Sequence, residues 1–194
     1  MQLSKRLTLP DWVPQLLAER TTVMPTLEER VRLVIDLARE NTLRGTGGPF
    51  GAAIFERDSG KLIAVGVNRV VPDQCSIAHA EMMAFAMAQQ ELGVFDLGGP
   101  GLPAHELVTS AQMCVMCYGA TFWSGVRRVV CAAATEDVHE LTDFDEGPVP
   151  ADWRRQLEQR GIEVVEGMLR QEAREVLRAY QAANGMIYNA RRGR

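Results

Sequence analysis

The segments His79-Ala80-Glu81 and Cys114-Val115-Met116-Cys117 decide the fold of this 194-residue chain, and the first cysteine stands 35 positions after the histidine. Each segment follows a predicted strand and loop, and each is predicted to begin a helix. The two cysteines are three residues apart, so a helix that begins there places both sulfurs on one face. One imidazole and two thiolates are ligands that zinc prefers, and a catalytic zinc site keeps a fourth position open for water. We therefore predict a catalytic zinc site formed by His79, Cys114 and Cys117.

A carboxylate accompanies the predicted ligands. Zinc with two thiolates and a neutral imidazole has no net charge, so it polarises water less strongly than a site of three histidines would. Glu81, two residues after His79, is therefore the candidate to take up a proton and pass it on. Residues two apart do not share a helix face, so this role requires His79 to lie in the irregular first turn.

Other interpretations of these residues stay open. A Cys-x-x-Cys pair can be a redox pair, and a His-x-Glu segment is common by chance. A structural zinc site takes four protein ligands. The remaining candidates for a fourth ligand have no paired spacing; they are Cys75, Cys131, His105 and His139.

Helices and strands alternate along the chain. Strands are predicted at residues 52–56, 62–67, 106–110, 127–134 and 162–165. Helices are predicted from Thr26, with Glu29 completing a capping box, and at residues 78–92, 114–123 and 168–183. An acidic loop is predicted over residues 135–147. This order favours a three-layer α/β/α domain with a mixed five-stranded sheet.

One domain accounts for most of the chain. Residues 1–25 contain three prolines and are predicted to be an arm packed on the domain, with a helical turn at residues 12–20. Residues 26–194 show no linker that would divide them. They are predicted to form a single domain that ends in a helix and a tail.

Composition excludes several classes of protein. Hydrophobic residues make up 46% of the chain, too many for a disordered protein. Lysine and arginine number 21 against 25 acidic residues, a net charge of −4 that argues against a nucleic-acid partner. Four cysteines do not make a disulfide scaffold. The absence of a signal peptide or a long apolar run leads us to expect a cytoplasmic protein with no membrane contact.

The two segments resemble the signature of the zinc-dependent cytidine/deoxycytidylate deaminase superfamily. Further segments resemble its bacterial guanine deaminase branch: Gly47-Gly48-Pro49-Phe50-Gly51-Ala52, Val67-Asn68 and Thr142-Asp143-Phe144-Asp145-Glu146. The similarity runs from about residue 28 to residue 147. Met113 stands where the family normally has a proline, which concerns the stiffness of the helix entry and not the ligand set.

The resemblance implies a cytidine deaminase-like fold and roles for particular residues. Asn68 would hydrogen-bond the edge of a base, Phe50 would stack on it, and the backbone N–H of Ala80 would bind an exocyclic oxygen. His79 would flank the base besides binding zinc. Judged by local sequence alone, Asn68 is a turn former and Phe50 a core residue.

The acidic loop would supply a second carboxylate. Glu146 matches it best, accepting substrate N–H groups and carrying a proton to the leaving amine, with Asp145 as a neighbouring substrate-binding residue. Without the resemblance, the acidic residues at 143, 145 and 146 are expected to be exposed to solvent in a loop. Tyr188 is a candidate lid over the site. Trp123 could approach the pocket from a dimer partner, but because it lies at a helix end it is expected to pack against the domain.

The implied reaction is hydrolytic deamination of a small free nucleobase, guanine to xanthine plus ammonia, with aminotriazines such as ammeline as further substrates. One alternative is a cytosine, cytidine or nucleotide substrate, or adenosine in transfer RNA. Only the arginines at 170, 174, 178, 191, 192 and 194 favour RNA. Another alternative is a non-catalytic zinc-binding module. The resemblance also implies a homodimer.

Overall fold

The structure is a computed structural model that describes residues 7–190. In these residues the helices are α1 Trp12–Ala18, α2 Leu27–Leu43, α3 Val70–Asp73, α4 Ala80–Leu92, α5 Val115–Ser124, α6 Thr135–Leu141, α7 Trp153–Glu158 and α8 Arg170–Ala182. The strands are β1 Gly51–Glu56, β2 Leu62–Val67, β3 His105–Ala111, β4 Arg128–Ala133 and β5 Glu163–Glu166. No helix among them is long and apolar enough to cross a membrane.

The five strands form one mixed sheet in the order β2-β1-β3-β4-β5. β1 is antiparallel to both β2 and β3, while β3, β4 and β5 run parallel. The parallel strands are joined by helical crossovers, as parallel pairing requires. Each predicted strand matches an observed one to within one residue at either end, and the mixed five-stranded sheet is confirmed.

Side chains of the central strands alternate between two cores. In β1, Ala53 and Phe55 pack with α2 and α8 on one face, whereas Ala52 and Ile54 pack with α4 and α5 on the other. This period of two is what a strand covered on both faces requires. The three-layer α/β/α arrangement is therefore confirmed.

Helix α2 begins as predicted. The Oγ1 of Thr26 accepts a hydrogen bond from the Glu29 backbone N–H at 3.2 Å, and the Glu29 carboxylate accepts one from the Thr26 N–H at 2.9 Å. These two bonds satisfy N–H groups that the helix itself leaves unpaired.

The prediction of an acidic loop over residues 135–147 is wrong for its first half, where α6 lies. The Asp137 carboxylate accepts the Ala134 N–H at 2.8 Å and pairs with Arg170 at 2.6 Å and with Arg174. A helix of seven residues is marginal alone. The arginines that stabilise α6 belong to α8, and Arg170 is 33 residues away from Asp137. The local sequence therefore could not predict this helix. The short helices α3 and α7 were also not predicted.

The N-terminal arm packs on the domain over its described part. Trp12 of α1 is buried, and its Nε1 donates to Thr46 Oγ1 at 2.9 Å. Val23 forms a β-bridge with Lys61 beside β2. Residues 1–6 of the arm, and the predicted basic end at 191–194, lie outside the described residues. The division at residue 25 stays a prediction.

Candidate metal centre and active site

The predicted ligands lie at the starts of two helices. His79 is the N-cap of α4 and Cys114 is the N-cap of α5, both with extended backbone angles. His79 therefore lies just outside the regular helix, which is the condition that allows Glu81 to face the same site. The first N–H groups of a helix have no partner within it and carry the positive end of its dipole. Both starts therefore favour thiolates and other anionic groups.

Three donor atoms converge between these helix starts. His79 Nδ1 lies 3.5 Å from the Sγ of Cys114 and 3.7 Å from the Sγ of Cys117, and all three atoms lie within 4.8 Å of one another. Tetrahedral zinc with ordinary bond lengths requires N–S separations of about 3.6 Å. The spacing and chemistry of the set therefore fit zinc. In the described part of the chain, no other such cluster of three or more metal-binding side chains occurs.

The two thiols have opposite acidities in the metal-free chain. A hydrogen bond with Cys117, and the neighbouring His79, hold the pKa of Cys114 at about 4 against the effect of burial. The pKa of Cys117 lies well above 9, because of Cys114 and of burial. Of the two sulfurs, Cys114 is therefore the one whose thiolate form its surroundings favour. A divalent cation favours deprotonation of its ligands, so it would stabilise the second thiolate.

Glu81 is positioned beside these ligands. Its side chain is 7% exposed, and it lines the same cavity as His79 and Cys114. Burial, and then the negative charge of Cys114, raise its pKa to about 7 in the metal-free chain. A carboxylate with a pKa near neutrality can both accept and donate a proton.

The cavity above the ligands has a volume of about 340 Å³. Phe50, Asn68 and the acids Glu81, Asp145 and Glu146 line it. Among the described residues that line it, none is a lysine or an arginine. Its charged side chains are therefore acidic, which favours ligands that present N–H donors and disfavours phosphate groups.

Asn68 is buried at the end of β2 and combines two roles. Its Oδ1 accepts the Val70 N–H at 3.3 Å, the contact that its interpretation as a turn former requires. Its Nδ2 donates to the Tyr188 hydroxyl at 2.7 Å and lies at the cavity. One N–H of this amide thus remains for a further acceptor.

Aromatic side chains form one wall of the cavity. Phe50 packs edge-on against Phe144, with 5.3 Å between ring centroids, and Tyr188 lies 4.7 Å from Phe144. Sequence reasoning gave Phe144 no role, although it is the apolar residue within the acidic segment 142–146. Ala80, the first residue of α4, is buried behind this site with its N–H at the helix start.

The acids of the loop after α6 differ in environment. Asp143 and Asp145 are exposed, whereas Glu146 is 8% exposed and lines the cavity. Burial, and then Cys114 and Glu81, raise the pKa of Glu146 to about 8. Asp143 is solvent-exposed, as a solvated loop predicts, whereas Glu146 is buried.

The entry to α5 is fixed without the family's proline. Met113 is buried, and its sulfur accepts the Thr121 hydroxyl at 3.2 Å. The Val115 N–H donates to the Glu146 carbonyl at 2.9 Å, which joins the start of α5 to the acidic loop. The expectation that Trp123 packs against the domain is wrong, because its side chain is 86% exposed at the end of α5.

Residues 24–133 match the family described as "Cytidine and deoxycytidylate deaminase zinc-binding region", which places the ligand cluster within the matched region. The chain belongs to this deaminase family. The match spans more than half of the chain and confirms the resemblance in the sequence. It also makes zinc the metal that the cluster binds.

Relatives within this deaminase family are similar over most of the chain. The structure of guanine deaminase from Nitrosomonas europaea is 50% identical, covers 94% of this chain and 98% of its own, and has a TM-score of 0.88. A structure with bound 2,6-diaminopurine is 53% identical, covers 96% and 97%, and has a TM-score of 0.87. Guanine deaminase from Bacillus subtilis is 34% identical over 70% of this chain and 81% of its own.

Proposed function

We propose that this protein is a zinc-dependent aminohydrolase that converts guanine and water to xanthine and ammonia. The observation that carries the proposal is the placement of two buried carboxylates, Glu81 and Glu146, on the cavity above the His79, Cys114 and Cys117 cluster. The guanine deaminase activity named for two of its relatives supports this choice of base.

The cavity favours a free base over a nucleotide. The lysines and arginines that would bind a phosphate are missing among its described lining residues. Tyr188 lines the same cavity and narrows it, with its ring centroid 6.3 Å from that of His79. Guanine presents adjacent N–H groups, which the carboxylates can accept. Adenosine in transfer RNA fits less well, because two of the arginines that favour RNA, Arg170 and Arg174, form ion pairs with acids of α6.

The roles of the two carboxylates follow from their positions. Bound zinc supplies Lewis-acid activation of a water molecule near neutral pH. Glu81 accepts a proton from the attacking water and delivers it to the ring nitrogen beside the amino-bearing carbon. A bond from the water oxygen to that carbon forms, and the bond to the amino nitrogen then breaks. We assign to Glu146 acceptance of a hydrogen bond from the amino N–H. The second proton of the attacking water passes through Glu81 and Glu146 to the departing amino group, which leaves as ammonia while the carbonyl forms.

The remaining wall residues hold the ring. Asn68 donates its free N–H to the ring edge, Phe50 packs against the ring face, and the Ala80 N–H binds an exocyclic oxygen. Asp145 lies at the rim and accepts N–H groups at the open side. Recognition of one edge admits any small ring with the same donors and acceptors, so we also propose that ammeline is a substrate.

The decisive experiment measures ammonia release from guanine, cytosine, cytidine, adenosine and ammeline, together with zinc content. We expect turnover of guanine and ammeline. Glu81→Gln should retain zinc and lose about 10³-fold in kcat, the size of effect that general acid–base catalysis provides. Glu91→Gln, an exposed position of the same helix, is the matched control and should behave as wild type.

Three outcomes would contradict the proposal. Full ammonia release by Glu81→Gln with zinc in place would exclude Glu81 as the proton carrier. Bound zinc with no ammonia release from any of the five compounds by wild-type protein would favour a non-catalytic zinc-binding module. Activity on cytidine alone would show that the substrate is a pyrimidine and not a purine.

We further propose that the protein is a cytoplasmic homodimer. Its four cysteines are free, as expected in a reducing compartment. The segment 115–124 contains no charged residue, and its partly or fully exposed positions Met116, Gly119, Ala120 and Trp123 recur at helical spacing. Two-fold packing of this face on a second copy would bring no like charges together. Sedimentation equilibrium of the wild-type protein and of Trp123→Glu tests the interface, and the variant should be monomeric.

A further inference from the structure

Asn189 lies in the tail that follows α8 and forms two hydrogen bonds with the acidic loop. Its Nδ2 donates to the Asp143 carbonyl at 2.6 Å, and its Oδ1 accepts the Asp145 N–H at 2.9 Å. One amide side chain thus bonds to two backbone groups on either side of Phe144. The deamination roles proposed above leave Asn189 without a function.

The two segments that Asn189 joins both carry groups of the candidate site. In the tail, the neighbouring Tyr188 bonds to Asn68 and packs against Phe144. In the loop, Glu146 directly follows Asp145, the residue that Asn189 holds. The segments are 44 residues apart in sequence, and side-chain contacts join them across the cavity.

The loop needs such anchors because it has no regular structure between α6 and α7. Its backbone is fixed on one side of Glu146 by the bond from the Val115 N–H to the Glu146 carbonyl. On the other side, Asn189 bonds to the Asp145 N–H and to the Asp143 carbonyl. A buried carboxylate gains solvation by moving outward, so holding it at the cavity requires constraints on both sides.

We propose that Asn189 is a positioning residue that places Glu146 for catalysis and couples this placement to the position of the tail. The proposal rests on the proposed deaminase function for its kinetic consequence. The coupling itself is a property of the chain that can be measured without substrate. The hydrogen bond to the Asp145 N–H makes that amide the direct reporter.

The experiment compares Asn189→Ala with Met186→Ala, an exposed side chain of the same tail. Amide hydrogen exchange, followed by mass spectrometry on zinc-loaded protein, should become at least about tenfold faster in residues 143–147 in Asn189→Ala and should not change in Met186→Ala. With guanine, Asn189→Ala should lower kcat about tenfold. In a Glu146→Gln background the same substitution should change kcat less than twofold, because the group that it positions is already disabled.

Each outcome bears on the proposal. Unchanged exchange in residues 143–147 would overturn the coupling. Faster exchange with unchanged kcat, or an equal loss of kcat in both backgrounds, would overturn the positioning of Glu146. Wild-type protein that releases no ammonia from guanine would contradict the proposed function, while the exchange comparison would still decide whether Asn189 holds the loop.

Discussion

The metal-binding half of the site lies on the first turns of α4 and α5, whereas the half that faces it comes from a loop and a tail. His79, Cys114 and Cys117 are placed by helix starts whose backbone is fixed by the sheet. The loop that carries Glu146 and the tail that carries Tyr188 are joined by side-chain hydrogen bonds between segments that lie far apart in sequence. The first half is encoded locally, and the second depends on tertiary contacts. We therefore expect the two halves to respond differently to substitution.

The largest effect is expected from removing a metal ligand. Cys117→Ser should lose most of its zinc and at least about 100-fold of its activity, because the serine hydroxyl is a much weaker zinc ligand than a thiolate. Elemental analysis and ammonia release measure both quantities. Cys75→Ser, outside the ligand cluster, is the control. A fully zinc-loaded Cys117→Ser protein would show that zinc binding does not depend on this sulfur.

A second prediction concerns the ion pairs that join α6 and α8, the helices that lead into the acidic loop and the tail. Burial opposes ionisation of Asp137, but Arg170, the Ala134 N–H and Arg174 outweigh it and lower the pKa of Asp137 to about 2. An ordinary aspartate titrates near 3.8. The ionised form is therefore favoured by folding, and its contribution is complete above pH 4 and disappears as the pH falls toward 2.

Urea unfolding between pH 2 and pH 6 measures this contribution. Asp137→Asn should reduce the free energy of unfolding by an amount on the order of 2 kcal/mol at pH 6, and the difference from wild type should shrink toward pH 2. A difference that stays constant with pH would show that the charge of Asp137 does not stabilise the fold. Asp58→Asn, whose side chain is exposed, should show a much smaller change.

The smallest effect is expected at the contact between tail and Asn68. Tyr188→Phe keeps the ring against Phe144 and removes the hydroxyl that accepts from Asn68. Such a bond contributes about 1 kcal/mol, so KM for guanine should rise about threefold to tenfold with kcat nearly constant. Zinc content should not change. A large loss of kcat would show that the hydroxyl acts in the chemical step and not only in closing the tail.

The features that the sequence predicts are those encoded locally, and the features that it does not predict depend on tertiary contacts. The strands, the capping box at Thr26 and the starts of α4 and α5 were predictable, because hydrophobic period, breakers and capping residues act over a few positions. The cluster of His79, Cys114 and Cys117 follows from those starts. The identity of its neighbours within the site came from family resemblance.

The features that sequence reasoning missed depend on distant partners. Helix α6 is stabilised by arginines of α8. Phe144 is positioned by packing against Phe50 and Tyr188. Asn189 has no local signal, because its partners are backbone groups 44 to 46 residues away. Trp123 was expected to pack because it lies at a helix end, but its side chain is exposed at the end of α5.

The acidic lining of the cavity has a consequence for the end of the reaction. The substrate presents an amino group, which donates hydrogen bonds, whereas the product carries a carbonyl oxygen at the same carbon. Where Glu146 is ionised, above its raised pKa of about 8, its carboxylate would accept from the amino group and repel the carbonyl oxygen, since two acceptors then face each other. The cavity would therefore bind the product more weakly than the substrate, and this difference in affinity would favour product release after each turnover.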